Sequence, residues 1–296
     1  MARPKGYAAW NPKPQTLAVI ENVQAILDDY SAYLPLTVRQ IFYRLVGAYD
    51  YPKHERAYNN LANYLVRARR ARLIPFHAIR DDGTVREGGG GYRSEESFWQ
   101  AIRRHGERFS RNTLEPQSVA IELWCEAAGM VPQLASAVDR YSVPVYSTGG
   151  FSSVTVTHEI AERASRAGKQ TVFLHVGDYD PSGESIFEAM SDDAEQFTWR
   201  TGGSIEAVRV ALTREQVQQY DLPTAPAKTS DTRSVNWDDD TCQLEAMAPD
   251  QIAQLVVEAI EEWIDLDLLI ETEAEEAEQR ESIIAEFDRI EAERGD

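Results

Sequence analysis

From Ser118 to Leu212 short apolar runs alternate with stretches of helical period, and this alternation limits the fold of the chain more than any other feature. The segments Ser118–Cys125, Val143–Ser147, Thr171–Asp178 and Ala207–Leu212 read as strands. Helix-compatible sequence runs to Tyr141 after the first, and Val154–Ala167 and Gly183–Phe197 read as helices. Strand and helix in turn predict an α/β fold with a mainly parallel, Rossmann-like sheet and helices on its faces. In such a sheet functional groups collect at the carboxyl ends of the strands.

The region before it has another character. An apolar stripe of Ala18, Val19, Ile20, Val23, Ile26 and Leu27 predicts a first helix over Thr16–Tyr30, with Thr16 as its cap. A second helix is expected from Thr37, an N-cap, to Tyr49, and a third over Glu55–Arg72. Ile74–Ile79 reads as a strand. Three helices and a strand suggest an N-terminal winged helix-turn-helix domain. Gly88–Gly91 interrupts any regular structure, so Asp81–Glu96 reads as a loop or linker. A polar, basic helix is expected over Glu96–Arg111. The boundaries expected are 1–85 for the winged helix, 86–114 for linker and helix, 115–270 for the α/β domain and 271–296 for an acidic helical tail.

Charge follows the same division. The chain carries a net −19, yet residues 1–114 hold 18 Lys and Arg against 11 acids, and residues 115–296 hold 12 against 38. A basic first part beside an acidic second part points to a nucleic-acid-facing module; a soluble protein with an acidic tail is the alternative. No run reaches the roughly 18 apolar residues of a membrane span, and no secretory signal is visible. Cys125 and Cys242 form no C-x-x-C pair, so a zinc site or disulfide framework is not expected and a cytoplasmic location is.

Acidic residues fall where the sheet would gather them. Glu126 lies one residue past the first strand, and Asp178 and Asp180 close the third in the sequence Gly177-Asp178-Tyr179-Asp180-Pro181-Ser182-Gly183. Alternation sends the two aspartates to one side, and Pro181 with Gly183 is expected to force a tight turn into the next helix. Three converging carboxylates repel each other unless a cation sits among them. Magnesium, or manganese in its place, suits such oxygen donors. A D-x-D alone is equally a solvated turn, and Glu122 competes with Glu126, though position favours Glu126.

These residues resemble a known family. The second part is similar to the Toprim domain of the topoisomerase VI A subunit and the related meiotic double-strand-break protein. The match is carried by Glu126, by Asp178 and Asp180, by Val210–Val217, Tyr220–Pro223, Pro226–Lys228, Asp231–Arg233 and Gln243–Met247. The stretch Thr37-Val38-Arg39-Gln40-Ile41-Phe42-Tyr43 resembles that family's winged-helix cleavage motif. The resemblance implies Glu126, Asp178 and Asp180 as metal ligands, Tyr43 as the DNA-cleaving nucleophile and a 5′-phosphotyrosyl link. It also implies a homodimer in which the tyrosine of one protomer meets the metal of the other, and a separate ATPase B-type partner. Glu245 is then a candidate auxiliary acid. Two features depart from the family: Ala127 stands where it usually has lysine, and no ATPase module is present.

Helical geometry bears on Tyr43 separately. At 100° per residue Val38, Ile41, Phe42, Leu45, Val46 and Tyr49 share one arc, and Tyr43 lies outside it beside Arg39. The expectation is a partly exposed Tyr43, a core Tyr49, and an Arg39 that stabilises the transition state or lowers the phenol's pKa. In the third helix Tyr58, Leu61, Leu65 and Val66 are expected to face the core, and the basic stretch Arg67, Arg69, Arg70 and Arg72 to track phosphates of double-stranded DNA. The alternatives are a Toprim nuclease without a tyrosyl intermediate and a non-catalytic DNA-binding scaffold. A phosphatase reading of Asp178-x-Asp180 fits poorly with the Pro181-Ser182 that follows.

Overall fold

The computed structural model describes residues 8–80, 91–147, 154–227 and 237–295. Residues 81–90 of the expected loop Asp81–Glu96, and the family-like Lys228 and Asp231–Arg233, lie outside them. The elements are α1 (Pro14–Asp29), β1 (Leu36–Thr37), α2 (Val38–Ala48), α3 (Glu55–Arg70), β2 (Ile79–Arg80), α4 (Glu95–Glu107), β3 (Val119–Cys125), α5 (Val131–Val138), β4 (Val145–Ser147), α6 (Val154–Ala167), β5 (Gln170–Val176), α7 (Pro181–Thr201), β6 (Ile205–Ala211), α8 (Arg214–Gln219), β7 (Ala225–Pro226), β8 (Asp240–Thr241), α9 (Pro249–Glu261) and α10 (Leu266–Gly295).

The fold is α/β. Strands β3 to β6 form one parallel sheet in the order β4-β3-β5-β6. The central strands β3 and β5 are buried almost throughout, as strands covered on both faces must be. Leu123, Cys125, Val172 and Leu174 point into a core shared with α5 and α9, while Trp124 and Phe173 point to α6 and α7. The first core runs on without a break into Ile20, Val23, Ile41, Leu45, Leu61 and Leu65 of the N-terminal helices. Gln40 of α2 donates to Gln133 of α5 at 2.6 Å inside it.

Helix starts follow local chemistry. The Thr37 hydroxyl accepts the Gln40 N–H, and Gln40 Oε1 accepts the Thr37 N–H, a reciprocal cap that fixes the first turn of α2. Helix α1 begins at Pro14 rather than Thr16, because proline's fixed φ suits a first helical position. The expected strand at Ile74–Ile79 shrinks to Ile79–Arg80, paired in parallel with Leu36–Thr37. Pro75 supplies no donor, and Phe76–Ala78 form a single helical turn instead. Tyr49 caps the end of α2 and is 37% exposed, not in the core. Val66 is also exposed.

The acidic C-terminal segment is one helix from Leu266 that lies along α4. Gly106 permits the close approach: a Cβ there would meet Phe287 at 2.8 Å. Arg103 pairs with Asp288 and Glu291, Arg294 with Glu95, and Arg140 with Glu273. Part of this helix's negative charge is thus neutralised within the chain. Among the described residues no helix is long and apolar enough to cross a membrane.

Candidate carboxylate site and its tyrosine

The chain leaves β3 toward β4 on one side and β5 toward β6 on the other, so the direction of winding reverses between β3 and β5. A crevice opens at the carboxyl ends of two such strands. The register pairs Cys125 with Val176, which brings Glu126 beside Gly177. Glu126 and Asp178 therefore meet because of sheet order, although they stand 52 positions apart in the sequence.

Two glycines make room for Glu126. A Cβ on Gly177 would stand 2.6 Å from Glu126 Oε1, and one on Gly183 would stand 3.0 Å from it and 2.6 Å from the Asp178 carbonyl. Gly183 is the third residue of α7 rather than part of a separate turn, and its N–H is held by Asp180 Oδ1 at 2.7 Å, an N-cap. Sequence reading missed Gly177, although a glycine directly before the first aspartate is a visible signal of close backbone approach. Glu126 Oε1 is enclosed and, among the described residues, has no hydrogen-bond partner. Burial, then the charge of Asp178, pushes the Glu126 carboxyl up to about 7.

An enclosed carboxylate oxygen without a donor is costly, and a hard cation is a group that would satisfy it. The donor chemistry of Glu126, Asp178 and Asp180 suits such an ion. Among the described residues, however, no three His, Cys, Asp or Glu side chains are arranged to ligate one ion as they stand. One oxygen of each aspartate is turned to a main-chain amide: Asp178 Oδ1 accepts Leu244 N–H at 2.8 Å, and Asp180 caps α7. Burial holds the Asp178 carboxyl above its ordinary range, against the pull of the Leu244 amide. The competitor Glu122 is engaged elsewhere: it accepts both guanidinium arms of Arg163 and the Trp124 indole N–H.

Arg209, inside β6, was not picked out from the sequence. A lone arginine in the apolar run Ala207–Leu212 was its signal. It donates to the Asp178 carbonyl at 2.6 Å and to the Leu212 carbonyl at 3.1 Å, and approaches His175 Nδ1 at 3.4 Å. Burial lowers its pKa, while Glu126, Glu184, Asp178 and Asp180 pull it back up. His175 is fully buried, and that burial lowers its imidazole to about 3.

Tyr43 approaches from the other side. It is 8% exposed and packs edge-on to Phe42, which corrects the expectation of a partly exposed residue. The face of α2 that helical geometry left uncovered is closed by the turn Leu244–Ala246, and Arg44 of α2 donates to the Ala246 carbonyl. The Tyr43 hydroxyl donates to Gln243 Oε1 at 2.8 Å. Its pKa is pushed up to about 12, above all by burial; Arg39 acts in the expected downward direction but is outweighed. Tyr43, Lys53, Asp180, Pro181, Cys242 and Gln243 line a cavity of about 270 Å3. Lys53, which sequence reading gave no reason to notice, lies 5.8 Å from the Tyr43 ring centre.

Arg39 is half-buried and lines a second cavity with Tyr43 and Lys53. Glu245 is buried, and its charge reaches both Tyr43 and Cys125. Of the four arginines expected to track phosphates, Arg67 is exposed and Arg70 half-buried on α3, and Arg72 is exposed beyond the end of that helix. Arg69 is buried, its guanidinium 5.7 Å from the centre of the Phe76 ring, so it does not join an outward basic face. The apolar stripe of α3 turns it inward with Leu61, Leu65 and Ala68.

No protein-family model matches the chain, and neither the curated proteins nor the solved structures contain a significant match to it.

Proposed function

We propose that this chain cuts double-stranded DNA by transesterification through Tyr43 with magnesium, in the manner of a topoisomerase VI A subunit with a winged-helix and a Toprim domain. The observation that carries the reading is the approach of Tyr43 to the acidic crevice, with Gln243 bonded to its hydroxyl and the next residue bonded to Asp178. The enclosed, unpartnered oxygen of Glu126 supports a cation among the carboxylates. Glu126, Asp178 and Asp180 are the residues that would hold magnesium, which when bound would supply positive charge against the phosphate and the leaving oxygen.

In this reading the Tyr43 oxygen attacks phosphorus, and the bond from phosphorus to the 3′-oxygen breaks. The phosphate stays on the tyrosine as a 5′-phosphotyrosyl link; the phenol loses its proton and the 3′-oxygen gains one. The hydrogen bond from the Tyr43 hydroxyl to Gln243 Oε1 leaves the oxygen's lone pairs for phosphorus, and the proton released on attack passes to solvent. Arg39 and Lys53, around the same ring, are the cations for a phosphate in a chain that has Ala127 after its glutamate. Glu245 is the auxiliary acid. A homodimer, an ATPase B-type partner and a nucleoid-associated, cytoplasmic location belong to the same reading.

One observation favours a second reading, a Toprim nuclease without a covalent intermediate. Burial pushes the Tyr43 phenol up to about 12, further from the phenolate than a free tyrosine, which makes it the poorer nucleophile as it rests. Incubation of wild type and Tyr43→Phe with supercoiled DNA and magnesium separates the two. Protein trapped on DNA ends by wild type alone supports the tyrosyl route. Metal-dependent cutting that survives Tyr43→Phe supports the nuclease. Binding without cleavage, with or without a candidate B partner, leaves the scaffold.

A further inference from the structure

We propose that the outward face of α10 around Leu266 and Ile270 is a docking surface for a helix of another protein, one whose apolar stripe is edged by lysine or arginine. The surface lies on a different element from the carboxylate crevice and involves no metal.

A helix on the surface of a folded chain needs one apolar face, the one it buries. Helix α10 has two. Leu269 and Thr272 are buried against the body, and Ile283 and Phe287 lie against Gly106 of α4, so these four mark the inner face. At 100° per residue Leu266, Ile270, Ala274 and Ala277 share another face, about a third of a turn away. Leu266 is 42% exposed and Ile270 57%, and both alanines are exposed. The row extends for about 16 Å along the helix. A single exposed leucine is ordinary, whereas a row at helical spacing is the pattern by which one helix receives another. The two alanines let a second backbone come close.

Charge decides the occupant. Several acids of α10 are answered within the chain: Glu273 by Arg140, Glu275 by Arg111, and Asp288 and Glu291 by Arg103. Glu271, Glu278 and Glu281 lie along one edge of the outer row, are exposed, and pair with no cation among the described residues. A second copy of the chain fits poorly, since a two-fold contact sets this acidic edge against itself. The same edge repels DNA phosphates, and helices that lie on a lipid surface carry a basic polar face. A helix with lysine or arginine beside its apolar stripe complements both the row and its edge.

Fluorescence anisotropy with two labelled synthetic helical peptides, read on the full chain, tests this. Both peptides carry the same stripe of leucine and alanine; one is edged with lysine and the other with glutamate. Wild type is expected to bind the lysine peptide and not the glutamate peptide. Leu266→Gln/Ile270→Gln is expected to weaken that binding about tenfold or more. A melting curve checks that this variant stays folded, and Ile270→Gln alone replaces it where the pair does not. Glu271→Lys/Glu278→Lys/Glu281→Lys is expected to exchange the preference, so that the glutamate peptide binds and the lysine peptide does not. Equal affinity of the lysine peptide for wild type and the glutamine variant reflects only the chain's overall negative charge and overturns the proposal. Failure of the lysine peptide to bind wild type overturns it too. Sedimentation of the chain alone supplies the last outcome: a wild-type dimer that the glutamine variant dissolves assigns the row to a second copy and overturns the proposal.

Discussion

Arg209 donates to the main-chain carbonyl of Asp178 across 2.6 Å, so the loop that carries the first aspartate is tied to the neighbouring strand by a half-buried guanidinium. The same group reaches the Leu212 carbonyl, and its charge lies among four acids. Removal of one partner of such a set leaves the others uncompensated.

Arg209→Met is therefore expected to lower stability by about 3 kcal/mol in urea unfolding. Arg209→Lys restores the charge but not the fork, and recovers only part of the loss. A loss below roughly 1 kcal/mol for Arg209→Met, the range of ordinary surface pairs, would remove Arg209 from this role.

His175 makes stability fall with acid. Its folded-state pKa of about 3 lies below the ordinary 6.5, so the unfolded chain takes up the proton first. The contribution is whole above pH 6.5 and is lost as pH falls toward 3. At pH 5 the loss is roughly 2 kcal/mol. Unfolding measured from pH 7 to pH 5 is expected to show this slope in wild type and a shallower one in His175→Gln. Parallel slopes for the two proteins would sink the assignment.

Gly177 and Gly183 test the crevice without a change of charge. Gly177→Ala drives a methyl group into Glu126 Oε1, and Gly183→Ala drives one into the Asp178 carbonyl. Each is expected to lower stability by about 2 kcal/mol, as overpacking does, and to weaken Mn2+ binding in calorimetry. Alanine variants with wild-type stability and metal uptake would show that the crevice has slack.

On the proposed reading the arginines of α3 divide into two roles. Arg67→Glu and Arg70→Glu are expected to weaken DNA binding and to lower the salt dependence of affinity by about one counterion or more each. Arg69→Ala is expected to lower thermal stability instead, because its side chain is buried against Phe76. Fluorescence anisotropy at several salt concentrations and a melting curve separate these effects. DNA binding indifferent to all three would remove α3 from the interface.

Much of the fold was legible in the sequence because its signals are local. The runs Val119–Cys125 and Gln170–Val176, the cap at Thr37 and the helix at Val154–Ala167 depend on neighbours within a few residues. The positions of Glu126, Asp178 and Asp180 at strand ends followed from the same runs. Helical period misled at Tyr43 and Tyr49, since it describes an isolated helix and says nothing of what covers it. Pro75 broke a strand that hydrophobicity alone had suggested.

By itself the sequence determined which segments alternate, where the helices start, and that acids close the first and third strands, because period, capping and turn chemistry act over a few residues. Tertiary structure alone decided that Glu126 lies against Gly177, that Arg209 holds Asp178, and that Tyr43 is covered and bonded to a residue 200 positions away. Strand order and the packing of distant segments set those contacts. Neither leaves a mark in any short stretch of the chain.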